Sequence, residues 1–275
     1  MRWATIVLVG LVGCAGAEAT TQPPQQPAHP DAPAAGSAAA NELGLDPGET
    51  MAFEVRLAGV LAGEAQLAVG NIGEVGGRRE VVVKSRAATA GAAALFKQIT
   101  DETTTVIDAD TGRPLQLDST AVVDGKTTSA HAEFGTTGAT VTFTRDGDPH
   151  AHAFRVGFAG KIAYDTHSAM AQLRGWHAAP GATRTVYVVG GRRLWRVDVT
   201  LVGSEAIGSA MGNRRTVHIE GAAFRARPNL TLESETATRT FSVWLTDDAD
   251  RVPLKVVAKT ELGDVAMDLT EYNRP

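Results

Sequence analysis

The chain has 275 residues and a net charge of −5, with 43 % of its residues apolar and 21 % charged. That balance is ordinary for a globular protein, the length suits one large all-β domain or two smaller ones, and the acidic charge gives no basic face of the kind that nucleic acid selects. A single cysteine excludes an internal disulfide, so burial alone has to hold the fold together.

That cysteine is Cys14. Arg2 supplies a short positive region, Ala4 to Val12 an apolar run too short to cross a bilayer as a permanent helix, and Leu11-Val-Gly-Cys14 follows. The arrangement resembles the lipobox of bacterial lipoproteins, in which the cysteine is acylated and becomes the new N-terminus; a plain secretory signal is the alternative. The resemblance implies a signal peptide over residues 1–13 and anchoring by acyl chains at Cys14. Ala15, where an aspartate would retain such proteins in the inner membrane, implies an outer-membrane address facing the periplasm. From Ala15 to Ala40 there are ten Ala and five Pro and no Leu, Ile, Val, Phe, Tyr or Trp. Such a stretch cannot bury enough apolar surface to offset its ordering entropy. Residues 14–44 therefore read as the acylated cysteine plus a disordered tether. Its reach is about 30 Å as a coil and about 80 Å as polyproline helix.

Residues 45–275 read as one antiparallel β domain. Asp46-Pro-Gly-Glu49 turns the chain into a first strand with Phe53, Val55 and Leu57 on one side. Further alternating segments are Ala65–Val69, Glu80–Ala88, Thr103–Asp108, Pro114–Val123, Thr127–Phe134 and Ala139–Arg145, with Gly73–Arg79, Asp108–Gly112, Asp124-Gly125 and Gly135–Gly138 as turns. Ala90–Gln98 fits no strand period, which leaves a short helical piece open, and Arg145–His152 reads as a polar loop. Asp165–Trp176 breaks the series: Ala169, Leu173 and Trp176 recur at helical spacing behind Asp165 as N-cap. Strands resume at Thr185–Val189, Arg193–Val202 and Arg215–Gly221, and the chain closes in a three-stranded meander from Phe241 to Tyr272. The expected fold is a large antiparallel barrel or half-barrel of about a dozen strands with one mid-chain helix.

Four pieces of this layout resemble the DUF3108 family of bacterial envelope proteins. They are the second strand Gly63-Glu-Ala-Gln-Leu-Ala-Val69, the helix from Asp165 to Arg174, the segment Arg193–Ile207 ending Gly203-Ser-Glu-Ala-Ile207, and the ending Val243–Asp248 with Pro253 and Gly263. The likeness runs from about Leu45 to Tyr272, with Gly190-Gly-Arg-Arg193 more basic than the family pattern. It implies a large antiparallel β fold and no particular chemistry.

No set of side chains spells out a reaction. Asp165, His167 and Ser168 contain the residue types of a catalytic triad but are neighbours on one turn, whereas base and nucleophile usually come from separate elements. His150 and His152 lack a third ligand, and Asp247, Asp248 and Asp250 lack the Gly and distal Glu of a calcium loop. Arg78-Arg79 and Arg192-Arg193 read as solvated turn charges, and no glycine turn has the Lys and helix of a phosphate cradle. The chain is read as no enzyme, with no cofactor or metal. Trp244, Val257 and Ala266 make the meander apolar on a second face, covered either by the helix or by a ligand. Trp176, Trp244 and Val257 are the residues expected to line such a cavity. Two functions remain: a lipid-anchored binding protein holding an apolar molecule, and an adaptor that docks on an envelope assembly and holds none.

Overall fold

The computed structural model describes residues 43–260 and 263–274. The expected signal peptide, Cys14 and the expected tether up to residue 42 lie outside that range. The body is packed from Leu43 on, two residues earlier than Leu45: both leucines are buried in the core. Between them Gly44 has φ +63°, and a Cβ there would collide with the Ala171 carbonyl, so only glycine lets the entering chain lie against the mid-chain helix.

Among the described residues, sixteen strands and two helices follow in the order β1 Thr50–Leu57, β2 Val60–Val69, β3 Gly73–Val75, β4 Arg78–Thr89, α1 Gly91–Phe96, β5 Ile99–Asp108, β6 Pro114–Val123, β7 Lys126–Phe134, β8 Gly138–Arg145, β9 Asp148–Gly157, β10 Ala163–Asp165, α2 Thr166–Arg174, β11 Thr183–Gly190, β12 Arg193–Ser209, β13 Gly212–Ala226, β14 Arg239–Thr246, β15 Pro253–Thr260 and β16 Gly263–Asn273. The all-β expectation holds. The strands beyond a dozen include β3, β9 and β10, and the open stretch at Ala90–Gln98 contains α1.

All strands join one sheet. It starts at β10, runs in chain order through β16, passes to β1 and β2, then from β4 to β9, with β3 paired only to β4. Every pairing is antiparallel except β10 with β11, because α2 supplies the crossover that a parallel pair requires. Since β16 pairs with β1, the C-terminal meander lies in the middle of the sheet, not at an edge.

The edges β9 and β10 do not pair with each other; the sheet rolls past closure instead. Val186, Val188, Trp195, Val197 and Val199 of β11 and β12 face inward with Ala169 of α2. Tyr187, Val189 and Leu194, on the opposite face, pack against Leu117, Ala132, Val141 and Val156 of β6 to β9. One end of the sheet thus tucks beneath the other. Strict alternation makes this possible, since consecutive residues of β11 serve two different cores.

The helix α2 is wedged into the roll. Ala171 packs with Phe53, Leu67, Val83 and Ile107 on one wall, while Ala169, Leu173 and Trp176 pack on the β11–β14 wall.

Candidate functional site

The polar side chains of α2 come inside with it. Asp165 caps the helix, accepting from the backbone N–H groups of His167 and Ser168 at 2.9 and 3.0 Å and from Ser168 Oγ at 2.5 Å. Thr105 of β5 donates its hydroxyl to Asp165 Oδ2 at 2.5 Å. His167 Nδ1 lies 2.8 Å from Thr105 Oγ1, and His167 Nε2 lies 2.8 Å from Ser85 Oγ of β4. With Thr105 donating to the carboxylate, a consistent assignment has Nδ1–H donating to Thr105 and Nε2 accepting from Ser85. The imidazole is then neutral, and burial holds its pKa below the usual value, against the opposing pull of Asp165. The arrangement is a serine–histidine–carboxylate line with a threonine spliced in. Asp165, His167 and Ser168 do lie together, as the sequence placed them, but the hydroxyl facing the imidazole nitrogen is Ser85 from another strand. Ser85 is 7 % exposed, and the line ties α2 to β4 and β5.

At the other end of the helix Arg174 makes a buried bidentate ion pair with Glu49. Arg174 Nη2 also donates to the Asp250 carbonyl at 2.9 Å, and Glu49 accepts from the Asp46 N–H at 3.1 Å and from Tyr272 Oη at 3.3 Å. Burial and the Glu49 charge push the Tyr272 hydroxyl up to about 12. Chain entry, α2 and the last strand are therefore fastened at one end of the roll.

The opposite end carries the reverse chemistry. β1 runs from the entry end to the turn before β2, and α1 lies beside that turn: the Ala90 N–H donates to the Ala62 carbonyl at 3.0 Å. Nothing in α1 is buried. Leu95 and Phe96 are 86 % and 88 % exposed, and Val60 and Leu61 at the start of β2 are exposed as well. This is an apolar tip about 26 Å from the entry point, taking about 3.3 Å per residue along β1. A groove of about 460 Å³ lies on the sheet exterior, walled by Gln66, Lys84, Arg86, Glu102 and Glu271.

The expected cavity residues do not converge. Trp176 is half-buried on the inner face beside α2. Trp244 and Val257 alternate with the inward-facing Val243 and Val256 and lie on the outer face. Trp244 stacks on His218 with centroids 4.5 Å apart and donates its indole N–H to Glu205 at 2.6 Å. Among the described residues no three of His, Cys, Asp or Glu are placed to hold a metal. His152 lies 2.6 Å from Asp148 and stacks on Phe143, and Asp248 accepts from Thr246 Oγ1 and the backbone N–H groups of Asp250 and Arg251 within its turn. Arg79 pairs with Asp110 at 2.7 Å. Asp101, on the inner face of β5, has its carboxyl lifted to about 6, chiefly by burial.

Sequence reasoning passed over Ser85, Thr105, Glu49 and the pair Leu95-Phe96. The first two had a signal: Ser85 interrupts the inward run Val81, Val83, Ala87, and Thr105 precedes inward Ile107. A hydroxyl on a buried stripe asks for a polar partner inside.

The rolled sheet defines a β-barrel-like protein. It is similar to the crystal structure of a β-barrel-like protein of the domain of unknown function DUF1849 from Brucella abortus, at 12 % identity and a TM-score of 0.57, over 82 % of this chain and 97 % of that one. A second solved structure, from Bacteroides fragilis NCTC 9343 and described as exported with a YmcC-like fold, aligns at 8 % identity and a TM-score of 0.39, over 83 % of this chain and 97 % of that one. No curated protein matches the chain. The family model of DUF3108, described as a protein of unknown function, matches residues 52–270, and the chain belongs to that family.

Proposed function

We propose that the protein is a non-catalytic docking module of the bacterial envelope, tethered to the outer membrane through an acylated Cys14 and engaging a protein partner through the α1 tip. The observation that carries this reading is the pair of bulky apolar side chains, Leu95 and Phe96, standing almost fully in solvent on an end of the roll where nothing packs on them. Isolated exposed apolar residues are normal, but two adjacent bulky ones, at the end of the roll that also exposes Val60 and Leu61, are the usual mark of a contact surface. The tip lies at the far end of β1 from the chain's entry, and the tether enters at the near end. A non-catalytic role fits the covered Ser85. The alternative, a holder of an apolar ligand, has less support, because α2 and its packing partners occupy the inside of the roll.

The test is site-specific photo-crosslinking in cells, with benzoyl-phenylalanine at Ala92 on α1. The expected result is a discrete protein adduct that disappears when Leu95→Asp and Phe96→Asp are introduced, while membrane fractionation is unchanged. Adducts to lipid alone, or a protein adduct that survives both substitutions, would contradict the proposal. Cys14→Ser should independently move the protein from the membrane to the soluble fraction.

A further inference from the structure

Four buried nitrogen atoms on neighbouring strands lack any hydrogen-bond partner: Arg193 Nε, Trp195 Nε1, Arg225 Nε and Arg225 Nη2. The register brings them together. Trp195 lies directly opposite Arg225 across the β12–β13 ladder, and Arg193 lies two residues before Trp195 on the same face. That face is the inner one, since Trp195 packs in the core with Val197 and Val199 and is 0 % exposed. Directly opposed side chains have Cβ atoms about 5 Å apart, so the indole and both guanidinium groups lie within reach of one small group.

Arginine and tryptophan carry donors and no acceptors. These N–H groups therefore cannot satisfy one another, however the side chains rotate. Arg193 and Arg225 are themselves half-buried, and leaving their inward donors and the Trp195 indole unmet costs free energy. Asp101, on the inner face of β5, does not supply the acceptor: it accepts from Thr103 Oγ1 at 3.4 Å and from none of these nitrogens. What the cluster lacks is an acceptor bearing negative charge.

We infer that the inner face of β12 and β13 beside Trp195 is an anion site, built to take a phosphate or carboxylate group. The Arg225 Nε and Nη2 edge offers the two parallel N–H groups that bind such oxygens in bidentate fashion, with the Trp195 indole N–H as a third donor and the Arg193 charge alongside. The docking role is independent of this site. The bound group is either a free anion or the head of an acidic amphiphile, since both present the same oxygens.

The experiment is an NMR titration of the full chain, following the tryptophan indole N–H signals, with Trp195 assigned through Trp195→Phe. Melting temperature is followed in parallel. The probes are inorganic phosphate, acetate, lysophosphatidate and, as the head-group control, lysophosphatidylcholine, with chloride at matched ionic strength. The expected result is a saturable downfield shift of the Trp195 signal alone, a rise in melting temperature, and loss of both in Arg225→Gln. A response to phosphate or acetate identifies a free anion. A response to lysophosphatidate without one to phosphate or lysophosphatidylcholine identifies an amphiphile head. Should Arg225→Gln fail to fold, Arg193→Gln is read in its place, with a weakened response expected. No shift with any anionic probe, or an equal shift with chloride, overturns the inference.

Discussion

The two helices invert the usual relation between composition and burial. α1 reads GAAALF, carries no charge, and buries nothing. α2 reads THSAMAQLR and buries His167, Ser168 and Arg174 together with two alanines. The difference lies in what each meets. His167 finds its partners on β5 and β4 and Arg174 on the entering chain, while Ser168 closes the cap with Asp165, so polarity serves as attachment. The bulky apolar side chains of α1, Leu95 and Phe96, stand in solvent. A polar helix is held inside the core, and an apolar helix is left outside with its two largest side chains in solvent.

The comparison breaks most directly at Arg174. Removing one member of a buried ion pair strands the other, so Arg174→Met should destabilise the body by roughly 3–5 kcal/mol in urea melts. The double change Glu49→Leu with Arg174→Met should recover most of that loss. If the single change is nearly neutral, α2 is not fastened at that end.

The next effect depends on pH. The folded value of Asp101, about 6, lies above its ordinary 3.8. As pH rises the unfolded chain therefore ionises first, and the fold loses stability between about pH 4 and 6 and does not regain it above. Asp101→Asn should stabilise the protein at pH 7 by up to about 3 kcal/mol and leave it unchanged below about pH 4. His167 works the other way. Its lowered value means that the unfolded chain takes up the proton first as pH falls, so stability drops below about pH 6.5. In Asp101→Asn that acid-side drop stands unopposed and should be steeper than in the wild type, as thermal melts across pH 4–8 would show.

Smaller effects follow at the hydroxyls. Ser85→Ala leaves His167 Nε2 without its donor and should cost about 1–3 kcal/mol. The smallest effect belongs to α1: Leu95→Asp with Phe96→Asp should shift the melt by no more than about 0.5 kcal/mol, because both side chains already stand in water. A large loss there would mean that the tip packs on the body after all.

Much of this was legible in the sequence. The meander, the hairpin turns and α2 with its Asp165 cap followed from period and punctuation. β9 read as a polar loop at its start because DPHAHAFRVG is an edge strand with one buried residue, so it lacks the apolar alternation that burial imposes. β12 and β13 run on past Val202 and start before Arg215 in a hairpin whose side chains are mostly exposed, where pattern fades although the ladder continues. The candidate cavity was harder to read. Alternation shows that Trp244 and Val257 oppose the core face, but not that the far face of this part of the sheet looks outward, where His218 and Glu205 take up the indole. The overlap of the roll, which gives β11 two cores, depends on contacts between strands some seventy residues apart, and no local pattern reports it.

Hydrogen exchange followed by mass spectrometry tests the central contrast most directly. The amides of residues 169–174 in α2 should exchange only with global unfolding, slowing and quickening in step with urea and with Arg174→Met, while those of α1 exchange at once. If α2 instead exchanges through a local opening well below the global stability, the helix is a lid over the interior and not a plug, and the account of a body that works from its outside fails.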